Sequence, residues 1–204
     1  MEITMNKTAV FGGSFDPIHN GHMSLINEVT KQIGCDHALV IPAGVSPFKT
    51  GADPADGAHR LKMCEIAFRD DPDVSVCDLE LYMRRPSYTV NTLLALKATR
   101  PLSELYLVCG SDAFLSIEKW HKYREILRLA VICTAMRPGD DKNEVCALAK
   151  RLEKKGARIM LCEMPPVDIS SSEIRRKISS GEDVHGLLPD GVADYIEKNR
   201  LYRG

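Results

Sequence analysis

Two short segments carry residue types and spacings suited to holding phosphate. The first is Gly12-Gly13-Ser14-Phe15-Asp16-Pro17-Ile18-His19-Asn20-Gly21-His22. Paired glycines directly after an apolar run permit close backbone approach to a ligand. His19 and His22 stand three apart. At a helix start they share a face and point toward the same helix end. Two imidazoles and the free N–H groups there would form a compact anion site. The same residues also read as a glycine-rich turn with two surface histidines. A zinc site has less support, because no third ligand stands at a recognisable spacing and Asp16 is the only nearby carboxylate. No metal ligand is assigned. The G-x-G-x-x-G fingerprint and the Gly-Lys of a P-loop are both missing.

The second segment is Ile169-Ser170-Ser171-Ser172-Glu173-Ile174-Arg175-Arg176-Lys177-Ile178. Ser170 and Glu173 have the spacing of a capping box. Ile174 and Ile178 share one face, which is expected to point into the core. The helix start then offers the N–H groups of Ser171, Ser172 and Glu173, the serine hydroxyls and Arg175, all donors for phosphate oxygens. Taken alone, this reads first as an ordinary capped helix with a solvated basic face.

Both segments need elements to position them. Thr8–Phe11 is a short apolar run, and Leu25, Ile26, Val29 and Ile33 follow at helical spacing up to Gly34. Ala38–Ile41, Val74–Cys77, Leu105–Cys109, Ala130–Thr134 and Arg158–Cys162 read as further buried strands. Helical patterns lie at His59–Phe68, Tyr88–Thr99, Tyr123–Leu129, Asn143–Lys155, Ser171–Ser180 and Gly191–Lys198. Strands alternating with helices, each strand apolar throughout, predict a doubly wound α/β domain with a mostly parallel sheet. Ligands in such sheets bind beyond the carboxyl ends of the strands, at the topological switch point. The unusual residues do follow strand ends, so Gly12–His22 and Gly110-Ser111-Asp112 should face each other.

The chain has 204 residues with a formal net charge of -1. That length predicts a single domain over 1–204. Near-neutrality without a basic block argues against nucleic acid as a partner, so any anion must be held locally. No apolar stretch approaches a membrane span, and the first residues lack the core of a signal peptide. Seven cysteines, an odd count without any C-x-x-C pair, read as free thiols in a reducing compartment, by default the cytoplasm.

Read together, Gly-Gly-Ser-Phe-Asp-Pro-x-His-x-Gly-His and Ile-Ser-Ser-Ser-x-Ile-Arg resemble the nucleotidyltransferase family built on the H-x-G-H and S-S-x-x-I-R signatures. Within it the chain is most similar to the bacterial nicotinate-nucleotide adenylyltransferases. Pro86-Ser87-Tyr88-Thr89, Gly110-Ser111-Asp112, Trp120, Arg137-Pro138-Gly139 and the run from Leu187-Leu188-Pro189 to Leu201-Tyr202 carry that likeness. One departure is Ser46-Pro47-Phe48-Lys49, where relatives often have Pro-Pro-His-Lys or Arg. Phe48 removes a polar contact and Lys49 keeps the cation.

The resemblance implies a Rossmann-like nucleotidyltransferase fold, with the helices from about residue 170 closing the phosphate site. It implies transfer of AMP from ATP to nicotinate mononucleotide, a step of NAD biosynthesis. His19, His22, Lys49 and Arg175 would be the catalytic residues. Gly12, Gly13, Ser14, Phe15, Gly21, Gly110, Asp112, Arg137, Ile169, Ser171 and Ser172 would bind ATP, with Asp112 on ribose hydroxyls. Tyr88, Thr89 and Trp120 would bind the mononucleotide, the indole stacking on the pyridine ring. For Trp120 core packing is the competing reading, and for Asp112 it is a helix N-cap. Mg²⁺ would be carried mainly by the ATP phosphates.

Three rivals stand beside this reading. A related adenylyl- or cytidylyltransferase such as the pantetheine-phosphate enzyme is typically shorter and lacks the Pro-Ser-Tyr-Thr and Trp pattern. A class I tRNA synthetase needs a tRNA-binding domain for which this chain has no room. A non-catalytic nucleotide sensor has no need of transition-state groups such as His19, His22, Lys49 and Arg175. The oligomeric state, a homo-oligomer included, is left open.

Overall fold

Six short apolar runs pair into one parallel sheet of order β3-β2-β1-β4-β5-β6. The computed structural model describes residues 6–44, 55–83, 87–136, 139–167 and 169–203. Lys49, with its neighbours Ser46–Phe48, and Arg137 lie outside the described residues. The strands are β1 (Asn6–Gly13), β2 (His37–Pro42), β3 (Val74–Val76), β4 (Ser103–Gly110), β5 (Val131–Met136) and β6 (Ile159–Glu163). The helices are α1 (Asn20–Ile33), α2 (Gly57–Ala67), α3 (Leu79–Tyr82), α4 (Thr89–Thr99), α5 (Ser111–Leu115), α6 (Tyr123–Leu129), α7 (Lys142–Glu153), α8 (Ser171–Ser179) and α9 (Val192–Lys198).

Successive strand residues point to opposite faces, and both faces here are apolar. Ala9, Phe11, Val40, Val108, Cys133 and Cys162 pack against α1, α2, α8 and α9. Val10, Leu39, Ile41, Leu107 and Ile132 pack against α4, α5, α6 and α7. The expected doubly wound, Rossmann-like sheet is therefore observed, with a helical layer on each side. Gly34 ends α1 in the left-handed conformation, φ 62°, as a glycine can without strain.

The winding reverses between β1 and its neighbour β4. Their register pairs Val10 with Leu107 and Phe11 with Val108, so Gly12–Gly13 and Gly110 emerge side by side at the carboxyl edge. That is the juxtaposition expected of the two glycine segments.

Several short elements had no sequence signal. α3 and α5 span four and five residues, too few for a helical period to declare itself. The turn of 3-10 helix at Ile117–Lys119 is shorter still. All seven cysteines are free, with Cys64, Cys109, Cys133 and Cys162 buried and the rest half-buried. Among the described residues no helix is long and apolar enough to cross a membrane.

Candidate functional site

The site grows from the link between β1 and α1. A Cβ at Gly12 would meet nothing within 4 Å, so this position opens onto free space. Gly13 is different, since a Cβ there would lie 2.9 Å from Cζ of Phe15. The second glycine thus makes room for a neighbouring ring, while both glycines line the two cavities that flank the pair. Phe15 is buried and has φ 46°, a costly conformation for a bulky side chain. Its ring meets His22 edge-on, with centroids 5.1 Å apart.

His19 caps α1 and His22 occupies the third helical position. Their rings stack with centroids 3.7 Å apart, so both imidazoles do share one face. The His19 backbone N–H donates to Nδ1 of His22 at 3.2 Å. That acceptor role leaves the ring proton of a neutral His22 on Nε2, as a hydrogen-bond donor. His19 is only 6% exposed, so it is a buried residue and not a surface histidine. Gly21 has a steric reason: a Cβ there would sit 3.0 Å from Nδ1 of His19 and 3.2 Å from Cγ1 of Val167.

The start of α8 docks on the same link. Ser170 caps this helix, its Oγ accepting from the Glu173 N–H at 3.2 Å. Ile174 is buried and Ile178 packs against the core, as their spacing predicts. Ser171 Oγ donates to the Pro17 carbonyl at 3.0 Å. Arg175 donates through Nη1 to the Asp16 carbonyl at 2.7 Å and through Nη2 to Ser172 Oγ at 3.3 Å. Two segments more than 150 residues apart thus meet next to His19.

Two cavities flank the glycines. One, of about 210 Å³, is walled by Phe15, Gly21, His19, His22, Ile169 and Val167. The other, of about 280 Å³, is walled by Ser14, Glu80, Ser87, Thr89, Thr92 and Trp120. Both share Gly12, Gly13, Val108, Cys109 and Gly110. Burial pushes the Cys109 thiol up to about 12, which leaves it a neutral wall group.

The remaining expected residues divide between these places. Ser14, expected beside ATP, stands in the wall of the second cavity. Trp120 is half-buried there, its indole N–H 3.4 Å from Ser116 Oγ, so it both packs and lines the cavity. Tyr88 caps α4 and its ring stacks on His121 at 4.3 Å, while Thr89 faces the cavity. Asp112 is exposed and second in α5, whose N-cap is Gly110. The N-cap reading of Asp112 is therefore corrected, and its carboxylate is not spent on capping.

Three side chains matter that the sequence did not single out. Asp16 is 4% exposed and its Oδ1 accepts from Tyr202 Oη at 2.7 Å and from the Ala55 N–H at 3.1 Å. It is an internal tie, where the sequence showed only a lone carboxylate beside the histidines. Glu80 is buried in the second cavity's wall and accepts from Thr92 Oγ1 at 2.7 Å. Burial raises its carboxyl above the ordinary range, against the opposing pull of its hydrogen bonds. Arg60, also buried, donates to the carbonyls of Ala55, Ser14 and Gly44. The Asp-Pro step after two glycines could have marked Asp16 as part of a tight link. Nothing in Leu79-Glu80-Leu81-Tyr82 distinguishes Glu80 from a surface carboxylate.

Comparison with known proteins agrees with this geometry. The family model described as cytidylyltransferase-like matches residues 10–177. A probable nicotinate-nucleotide adenylyltransferase of Dehalococcoides mccartyi is 39% identical over 197 residues, covering 96% of this chain and 97% of the relative. One of Roseiflexus castenholzii is 38% identical over 201 residues, covering 98% and 100%. Among solved structures, Plasmodium falciparum nicotinic acid mononucleotide adenylyltransferase complexed with NaAD superposes with a TM-score of 0.78 over 97% of both chains. At 21% identity that likeness speaks for the fold alone. The histidine pair, the α8 start and full-length similarity at this level converge on one statement: the chain belongs to the nicotinate-nucleotide adenylyltransferase family, within the cytidylyltransferase-like nucleotidyltransferases.

Proposed function

We propose that the chain transfers AMP from ATP to nicotinate mononucleotide, releasing pyrophosphate and nicotinate adenine dinucleotide. The observation that carries this reading is the pair of cavities sharing the Gly12–Gly13 and Gly110 wall, one with the histidine pair and the other with Trp120 and Thr89. Such a wall lets two nucleotides approach each other at a single reacting centre.

The nucleophile is a phosphate oxygen of the mononucleotide, already anionic at neutral pH. It forms a bond to the α-phosphorus of ATP as the bond to the pyrophosphate oxygen breaks. No strong base is needed, so catalysis is positioning plus stabilisation of the charge gathered on the α-phosphate. His22 offers an Nε2 donor, and His19 supports it by stacking and by fixing its tautomer. Arg175 and the serines at the α8 start receive the leaving pyrophosphate. Lys49, from the segment after β2, completes the set as a cation for the phosphates.

The residues fit a metal that arrives with its nucleotide. Asp16, the carboxylate beside the histidines, has its Oδ1 engaged by Tyr202 and Ala55 and its Oδ2 3.6 Å from Arg175. It has little left for a cation. Mg²⁺ arriving with ATP would neutralise phosphate charge and would need few ligands from these residues.

In the second cavity, Trp120 offers an aromatic face to the pyridine ring. N–H groups near Tyr88 and Thr89, at the start of α4, are suited to its carboxylate. Glu80 stands in the same wall, and burial raises its carboxyl above the ordinary range. The test is incubation with Mg²⁺, ATP and a panel of mononucleotides, reading pyrophosphate and the mass of the dinucleotide. Nicotinate mononucleotide should give the fastest release. No release with any pyridine mononucleotide would overturn the reading.

A further inference from the structure

Tyr202 stands 186 residues from Asp16 in sequence, yet its hydroxyl lies 2.7 Å from Asp16 Oδ1. The chain is bent to make that contact. After α9, the Leu201 N–H reaches back to the Ile196 carbonyl at 3.0 Å while Arg200 takes φ 54°. This is the arrangement of a left-handed helix stop, here without glycine. Tyr202 itself has φ 62°. Two non-glycine residues in this region cost conformational energy, and such strain persists only where surrounding contacts hold it.

The contact joins a chain of polar groups. Tyr202 Oη and the Ala55 N–H occupy Asp16 Oδ1. Asp16 Oδ2 faces Arg175 Nη1 at 3.6 Å, and the same nitrogen donates to the Asp16 carbonyl at 2.7 Å. Burial, and then the bond to Asp16, pushes the Tyr202 phenol far above its ordinary value. The Arg175 and Arg60 guanidiniums pull the other way. The phenol therefore keeps its proton and donates.

We propose that Tyr202 is a positioning residue that acts through Asp16 on Arg175, holding its guanidinium toward bound phosphates. This rests on the phosphate role given to Arg175 above. With Oδ1 saturated by its two donors, only Oδ2 and the backbone carbonyl are left for Arg175. Nη2 then stays beside Ser172 at the α8 start. Removing the hydroxyl leaves Oδ1 short of a donor in a buried site. A guanidinium forks readily onto both oxygens of a carboxylate. Arg175 would turn onto Asp16 and away from phosphate.

The test is a double-mutant cycle on Tyr202→Phe and Arg175→Ala, read by calorimetric binding of Mg·ATP, which does not depend on transfer to any mononucleotide. Tyr202→Phe keeps the ring and its packing. It should weaken Mg·ATP about three- to tenfold, the range of one buried hydrogen bond, and leave mononucleotide affinity unchanged. In the Arg175→Ala background the same change should have no further effect on Mg·ATP. Unaltered Mg·ATP affinity in Tyr202→Phe, or an equal loss with and without Arg175, would overturn the proposal. Asp16→Asn, which keeps the shape and removes the charge, should show the same dependence on Arg175, and independent losses there would also count against it. Failure of pyrophosphate release by the unaltered protein would strike the transfer reaction instead, while this cycle would still read the coupling.

Discussion

Stacked histidines wall the first cavity. Both line it, but the His19 backbone N–H fixes the tautomer of His22, whereas the His19 ring is buried. His22→Ala should lower kcat by about 10²–10³, the loss seen when one preorganised donor is removed, with little change in Tm. His19→Ala should lose a similar factor and also about 1–3 kcal/mol of stability, since it removes a buried ring. Thermal melts and steady-state rates separate the two, and full turnover in His22→Ala would remove it from catalysis. Glu80 offers a test against pH. Its carboxyl is raised by burial above the ordinary 4.5, so the unfolded chain releases this proton first. Fewer protons bound to the unfolded state mean that stability falls as pH rises between the two values. Glu80→Gln removes that slope, so the Tm of the variant minus that of the parent should climb as pH is raised upward from 4.5. A constant or falling difference would contradict the burial argument. The importance of Glu80 could not be read in advance, because burial of a carboxylate depends on α3 and α4 meeting, which local sequence does not encode.

Helices and strands aim these residues, and steric detail at their ends decides how well. Gly21 lies in the first turn of α1 against His19 and Val167. Alanine there gains helix propensity of about 1 kcal/mol, yet its Cβ crowds a ring already stacked on His22. Gly21→Ala should therefore leave the Tm near the parent's, propensity offsetting the crowding, while kcat drops about tenfold, within the ~10² that a misplacement of 1 Å can cost. A parallel loss of Tm and kcat would show Gly21 to be merely structural. At this scale much was legible. Apolar runs located the strands, Gly34 marked the end of α1, and Ser170 with Ile174 set the start and buried face of α8. Spacing alone brought His19 and His22 together. What it could not show was which of the two is buried, or that Gly13 leaves room for Phe15, whose left-handed backbone has no local signature. The role of Asp16 was hidden for another reason, as its partners at Ala55, Arg175 and Tyr202 come from three distant segments.

The whole molecule is a sheet whose switch point sets two cavities on either side of a glycine wall. One side of the wall suits phosphate and the other an acidic aromatic ring, and Trp120 stands on the second. We propose that this division sorts the two substrates. It predicts that a carboxylate and a carboxamide on the pyridine ring are told apart. Both carboxylate oxygens accept charge-assisted bonds, whereas the amide turns one acceptor into a donor that would face protein donors. Polar mismatches of this kind are worth up to ~10⁴–10⁵ in specificity. The most direct measurement is kcat/KM for nicotinate mononucleotide and nicotinamide mononucleotide at saturating Mg·ATP, in the parent chain and in Trp120→Ala. The acid should be preferred by at least about 10²-fold, and in Trp120→Ala the KM should rise far more for the mononucleotide than for ATP. Equal use of acid and amide, or equal loss of both substrates in Trp120→Ala, would contradict it.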